Sequence, residues 1–224
     1  MKLLAVDVSS VSGSVALFDE EELVAEFNLH LGGRHSATLL TAIDRVCSAG
    51  KIEVREVDVF AVTKGPGSFT GLRVGISVVK GLAWSAGKPV VGVSTLMALA
   101  MNVPCAGGII APVLNARRGE VYGGFYRWEG GTLRAATEDC SMTPEVFVEK
   151  AGGDALFLGD GLDICGPLIE TAHGGACLAP PSLWSIRASN VGRLGRDQRE
   201  AGVDASHILP LYKRGMAQGR PGAS

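Results

Sequence analysis

Residues 64–71, Lys64-Gly65-Pro66-Gly67-Ser68-Phe69-Thr70-Gly71, bring a lysine, three glycines and two hydroxyls into one short stretch. That mixture suits a loop whose backbone N–H groups cradle a phosphate, or a turn that presents a nucleophile. The spacings exclude the known versions of both. A P-loop needs G-x-x-x-x-G-K-[ST], and five residues after Gly65 and Gly67 stand Thr70 and Leu72. The dinucleotide fingerprint G-x-G-x-x-G fails at its third position, where Thr70 stands. A nucleophile elbow around Ser68 needs glycine where Pro66 is. Cys47, Cys105, Cys140, Cys165 and Cys177 are scattered without a pair at metal-ligand spacing, so reduced, buried thiols are expected. His30 and His35 fit no helical metal motif, and no metal is expected.

The elements that hold this stretch are legible around it. Val57 to Thr63 is an apolar, β-branched run that reads as a buried strand, and a segment free of proline then reads as a helix to about Ala86. Pro66 fixes its own φ and pushes Gly65 out of the α region, and Gly67 can adopt the angles of a sharp reversal. Ser68 and Thr70 each offer an oxygen to the first helical turn. Leu72, Ile76, Val79 and Ala83 form a stripe that should pack on the preceding strand. Gly71, Gly75, Val78 and Leu82 form a second small or apolar side. It can be core, or a contact with another subunit whose helix comes close over the two glycines.

Before this unit, runs at 3–8, 14–18 and 23–27 read as an antiparallel meander and 35–48 as a helix; after it, 89–93 reads as a strand and a helix begins at Ser94. In the second half, 109–114, 120–128, 132–136 and 156–158 read as strands, a helix starts after Thr143-Pro144, and 185–200 is a basic amphipathic helix. The order predicts an α/β protein with a mixed sheet covered by helices. At 46% hydrophobic and 20% charged residues, the 224-residue chain can fill one large core or two lobes. Asp7 interrupts the first apolar run too early for a signal peptide, and no run is long enough to span a membrane, so a cytoplasmic protein is expected. The net charge of −2 argues against strong nucleic-acid binding by the chain alone. From Pro181 onward, though, seven basic residues face three acidic ones, a pattern of a solvated helix face or of a surface for an acidic partner.

Residues 65–75, with Gly92-Val93-Ser94-Thr95-Leu96 and Pro210-Leu211-Tyr212-Lys213-Arg214, closely resemble the TsaB (YeaZ) family. The resemblance implies two actin-like lobes of the ribonuclease H type, at 1–102 and 103–214. The last helix is expected to pack back on the first lobe, and 215–224, polar and small, is expected to be a disordered tail. It further implies a non-catalytic subunit in making threonylcarbamoyladenosine beside the anticodon of tRNAs that read codons beginning with A. Its partners there are the catalytic paralogue TsaD, the ATPase TsaE and, through the complex, tRNA; alone it would form a homodimer. The expected interface is His35, Leu39, Gly71, Arg73, Gly75, Val78 and Leu82, and Gly75→Leu is expected to leave the lobe folded while displacing a partner.

The resemblance also marks departures. TsaD-like proteins hold a metal with V-x-H-x-x-x-H, and here that segment is Val93 to Leu99, with Thr95 and Leu99 at the ligand positions. Asp7, followed by Ser9 and Ser10, stands where actin-like ATPases place an acid near the phosphates, although an aspartate followed by serines is also a turn former. Asn115 stands where relatives carry aspartate, and Ala37 and Thr41 replace the Glu and Pro of many relatives. Asn115 cannot organise Mg²⁺ or activate water. No cofactor is expected. The competing functions are an actin-like ATPase or small-molecule kinase, and a metallopeptidase.

Overall fold

The structure, a computed structural model, describes residues 1–30, 35–104, 106–199, 202 and 204–211 of the chain. β1 (Lys2–Asp7), β2 (Ser12–Asp19) and β3 (Glu22–His30) form the expected meander, followed by α1 (His35–Ala49), β4 (Val59–Gly65), α2 (Phe69–Ala86), β5 (Val90–Ser94) and α3 (Thr95–Ala100). The sheet order is β3-β2-β1-β4-β5, with β1–β2 and β2–β3 antiparallel and β1–β4 and β4–β5 parallel. β1 is central and covered on both faces, which is why it reads as a continuous apolar run. Leu4, Val6 and Val8 join the core formed with α1 and α2, while Leu3 and Ala5 look the other way.

The second half builds a comparable sheet from β6 (Ile110–Arg117), β7 (Glu120–Gly123), β10 (Cys140–Met142), β11 (Leu156–Leu158) and β12 (Cys177–Leu178), in the order β10-β7-β6-β11-β12. Its two parallel neighbours again follow the antiparallel ones. β8 (Tyr126–Glu129) and β9 (Thr132–Ala135) make a hairpin through Gly130-Gly131. The single strand expected at 120–128 is two strands, because the ladder with β6 breaks after Gly123 and β8, which meets β6 again at Ile110, pairs mainly with β9. α4 (Pro144–Ala151) begins at the Thr143 cap, with Pro144 in its first turn. α5 (Leu162–Ala172) was not legible: Gly166-Pro167 reads as a breaker, yet the helix runs through it. Burial of Leu162, Cys165 and Ile169 against Phe147 and Phe157 outweighs the roughly 3 kcal/mol that an interior proline costs.

α6 (Ala188–Asp197) lies on β1, β2 and β4 and so covers the free face of the first sheet. Its N-terminus is held by Glu26 of β3, which accepts from the Ser189 N–H at 2.8 Å and from the Arg187 guanidinium at 2.6 Å. Residues 204–211 then return along α2: Lys80 donates to the carbonyls of Ser206 and Ile208, and Ala205 and Ile208 are buried beside α2. The tail at 215–224 and Tyr212-Lys213-Arg214 lie outside the described residues.

Candidate functional site

The glycine loop is built by contacts on two sides. Gly65, in a cis bond to Pro66, has φ of 121°, and a Cβ there would stand 2.5 Å from the Leu211 carbonyl oxygen. The Leu211 N–H donates to the Lys64 carbonyl at 2.6 Å, so the returning C-terminal strap closes one side. On the other side a Cβ on Gly67 would meet the Ser9 carbonyl oxygen at 2.5 Å, and that oxygen accepts from the Ser68 N–H at 2.7 Å. Ser68 caps α2 by accepting from the Gly71 N–H at 3.3 Å; Thr70 points outward instead.

Asp7 stands under this joint and is fully buried. Its Oδ1 accepts from Ser9 Oγ at 2.6 Å, Thr63 Oγ1 at 2.7 Å and the Ser9 N–H at 3.2 Å, whereas its Oδ2 has no partner among the described residues. Burial pushes its carboxyl up to about 6, against the bonds from Ser9 and Thr63 that favour the charged form.

Above the joint a cleft of about 530 Å³ separates the two sheets. Ser9, Ser10, Gly67, Phe69 and Thr70 line it from the first half and Asn115, Arg117, Tyr122 and Asp160 from the second. Ser10 Oγ is turned to the Ser12 carbonyl at 3.0 Å. Asn115 Oδ1 accepts from the Arg117 N–H at 2.8 Å and so shapes the β6–β7 turn, where Arg117 and Arg118 take positive φ. Asp160, which follows β11 after Gly159, accepts from the Asn115 N–H at 3.0 Å, and burial raises its carboxyl. These residues do not fit a magnesium-bound nucleotide: the acid at position 7 is sealed beneath the cleft, and the opposite wall offers the neutral Asn115 and one carboxylate, Asp160, already engaged by the Asn115 N–H.

The outer face of α2 is the other candidate. Leu72, Ile76, Val79 and Ala83 are buried as the stripe predicts. The second side corrects the expectation for two residues. A Cβ on Gly71 would collide with the Val8 backbone carbonyl and one on Gly75 with the Val8 side chain, both inside the 3.0 Å that real Cβ atoms keep. These glycines admit the chain's own first strand, not a partner helix. Leu39 is likewise core, 0% exposed, and Val78 and Leu82 are half-buried against the same cluster. Of the expected contact residues Arg73 is exposed, with its guanidinium 3.8 Å above the Phe69 ring; the side chain of His35 lies outside the described residues.

What remains open is a stripe the periodicity did not single out: Thr70, Arg73, Ser77, Gly81 and Trp84. Trp84 is 79% exposed and Phe69 52%, and Leu40 of the adjoining α1 is 48% exposed. A Cβ on Gly81 would meet nothing within 4 Å. A tryptophan outside the buried stripe was the available signal.

Two of the arginines of the basic stretch, Arg187 and Arg196, lie beside acids. Arg187 pairs with Glu26, Arg193 donates to Asn190, and Arg196 lies within 4.0 Å of Glu21 and Asp197. Cys47, Cys140, Cys165 and Cys177 are free thiols, and burial pushes Cys47 and Cys165 up to about 11.

Residues 31–161 match the family model described as "TsaD: tRNA N6-adenosine threonylcarbamoyltransferase". Over 96% of the chain and 94% of the relative, the sequence is 31% identical to the tRNA threonylcarbamoyladenosine biosynthesis protein TsaB of Bacillus subtilis. The chain belongs to the TsaB family. The structure of YeaZ from Pseudomonas aeruginosa superposes with a TM-score of 0.81 at 29% identity, covering 94% of this chain and 99% of that one. Component A of (R)-2-hydroxyglutaryl-CoA dehydratase from Acidaminococcus fermentans, at 10% identity and a TM-score of 0.55, shares the two-lobed actin-like fold and no more. In this member of the TsaB family the positions that match the TsaD metal motif do not fit a metal. Thr95 and Leu99 are both 0% exposed, Leu99 within the core, and Thr95 Oγ1 has no partner. Among the described residues no three His, Cys, Asp or Glu side chains converge, and no helix is long and apolar enough to cross a membrane.

Proposed function

We propose that this chain is a non-catalytic subunit in the formation of threonylcarbamoyladenosine on tRNAs reading codons that begin with A. In this reading it docks the outer face of α2, with α1 beside it, on a TsaD-like catalytic paralogue, and a TsaE-like ATPase joins the assembly. Alone, the same face pairs with a second copy, because a two-fold contact reuses one patch. The name of the Bacillus relative supports the pathway. The observation that carries the docking role is Trp84, exposed on a helix whose other flanks are filled by the chain's own strands, α1 and C-terminal strap. A large exposed aromatic with small Ser77 and Gly81 before it suits an interface anchor.

The test is titration of the purified chain into the TsaD-like paralogue from the same cells. Trp84→Asp should weaken binding about 30-fold or more, since loss of an anchor typically costs about 2 kcal/mol or more and each 1.4 kcal/mol is tenfold. It should lower the modified nucleoside in tRNA and leave the melting temperature unchanged, because the indole is not packed in the chain itself. Full affinity in the variant would move the interface elsewhere. The alternative is nucleotide turnover in the cleft, which would have to proceed without the sealed Asp7 carboxylate. Measurement of ATP hydrolysis by the isolated chain decides it, and turnover abolished by Ser10→Ala or Arg117→Ala would support it.

A further inference from the structure

Asp7 is buried deeper than a ligand-binding acid needs to be, and costs more than a turn former should. Ser9 Oγ, Thr63 Oγ1 and the Ser9 N–H all converge on Oδ1. From Ser9 the contacts pass directly to the glycine loop: its carbonyl accepts from the Ser68 N–H, and Gly67 is pressed against it. Val8, between the two, is the surface on which Gly71 and Gly75 rest. Residues 7–9 are thus the seat of the first two turns of α2. We propose that Asp7 is a positioning residue for the partner-binding face, its ionised carboxylate holding Ser9 and through it the loop that starts α2. The proposal rests on the docking role of α2 given above.

The described groups around Asp7 leave its charge uncompensated. β2 pairs Ser14 with it, and Ser14 Oγ is turned to the Ile186 carbonyl. β4 contributes Thr63, and α3 carries no ionisable residue. On α6, Arg193 donates to Asn190 and Arg196 lies by Glu21 and Asp197. Lys64 on β4 and His30 and Asp160 at the cleft make none of the hydrogen bonds to Asp7, and no charged neighbour among the described residues offsets its burial. Protonation therefore acts on one set of bonds, those to Ser9 and Thr63. Hydrogen bonds to a charged acceptor are stronger than those to a neutral one, so the neutral acid holds the loop less firmly.

The experiment is a pH titration, from 5 to 8, of the backbone amide resonances of Ser9, Ser68 and Gly71 in the full chain, beside affinity for the TsaD-like paralogue. All three amides should move together with a midpoint near 6. Asp7→Asn should abolish the movement and bind the partner about three- to tenfold more weakly at pH 7.5. Ser9→Ala, which keeps the charge and removes one bond to it, should raise the midpoint; it carries the test if Asp7→Asn does not fold. Amides of Ser68 and Gly71 that do not titrate, or that titrate alike in Asp7→Asn, overturn the proposal. If the amides follow Asp7 but Trp84→Asp leaves partner affinity untouched, it is the docking role that fails. If both hold and Asp7→Asn binds at full strength, Asp7 positions the loop without bearing on the partner, and the proposal falls.

Discussion

Three glycines of α2 make a graded test of which surface the helix spends on its own fold. In isolation each Gly→Ala change should stabilise a helix by about 1 kcal/mol. At Gly81 nothing lies within 4 Å of the new methyl, so Gly81→Ala should realise that gain in full. At Gly75 the methyl meets the Val8 side chain, which can yield only by moving within a filled core; overpacking of this kind costs about 1–3 kcal/mol, leaving a net loss of roughly 0–2 kcal/mol. At Gly71 the obstacle is the Val8 carbonyl, fixed in the backbone, so the helix itself must lift and the loss should reach the top of that range or exceed it. For a domain of this size 1 kcal/mol moves the melting point by roughly 2–4 °C. Thermal and urea unfolding of the three variants should therefore rank Gly81→Ala above the parent and Gly71→Ala lowest. Gly75→Leu, expected from the sequence to spare the lobe, should destabilise it more than Gly75→Ala does. A Gly71→Ala or Gly75→Ala protein as stable as Gly81→Ala would refute the packing of α2 on β1.

Two further outcomes follow from buried carboxylates. The folded pKa of Asp7 is raised from 3.8 to about 6, so the native state holds the proton more tightly than the unfolded chain. The stability this contributes is complete below about pH 4 and lost as pH rises through 6, a change on the order of 3 kcal/mol. Asp7→Asn should remove that slope, seen as a gap between parent and variant unfolding free energies that grows from pH 4.5 to 7.5; a constant gap would contradict it. Glu26→Ala should cost about 1.5–3 kcal/mol in urea unfolding, since its nearly covered carboxylate holds both Arg187 and the start of α6, and an unchanged midpoint would mean the helix is anchored otherwise.

The first half was legible because each local signal agreed with its tertiary use. The meander turned at its polar residues, and β4, Ser68 and the stripe from Leu72 to Ala83 each kept to the period of its element. The second half escaped where local and global preferences part. Gly166-Pro167 reads as a break and is overruled by burial of Cys165 and Ile169. The three residues of β10 and two of β12 are too short to carry a period, and owe their pairing to β7 and β11.

The site was legible in position and misread in direction. A sequence shows that Gly71 and Gly75 lie on one side of a helix and that something must come close there; it does not say whether the visitor is another chain or Val8, far upstream in the same chain. Parallel pairing of β1 with β4 decides this, because it brings the end of β1 beside the start of α2. The same placement buries Asp7 under the cleft that its position in an actin-like fold would have it serve. With the glycine row used internally, contact with a partner passes to the exposed side of the helix, Arg73, Ser77, Gly81 and Trp84. There an indole with 79% of its surface exposed has no packing role in the chain that carries it. The two readings of α2, core and interface, are therefore not alternatives: the helix uses its glycines for the first and its tryptophan for the second, and the substitutions at Gly75 and Trp84 should separate them, one lowering stability and the other affinity.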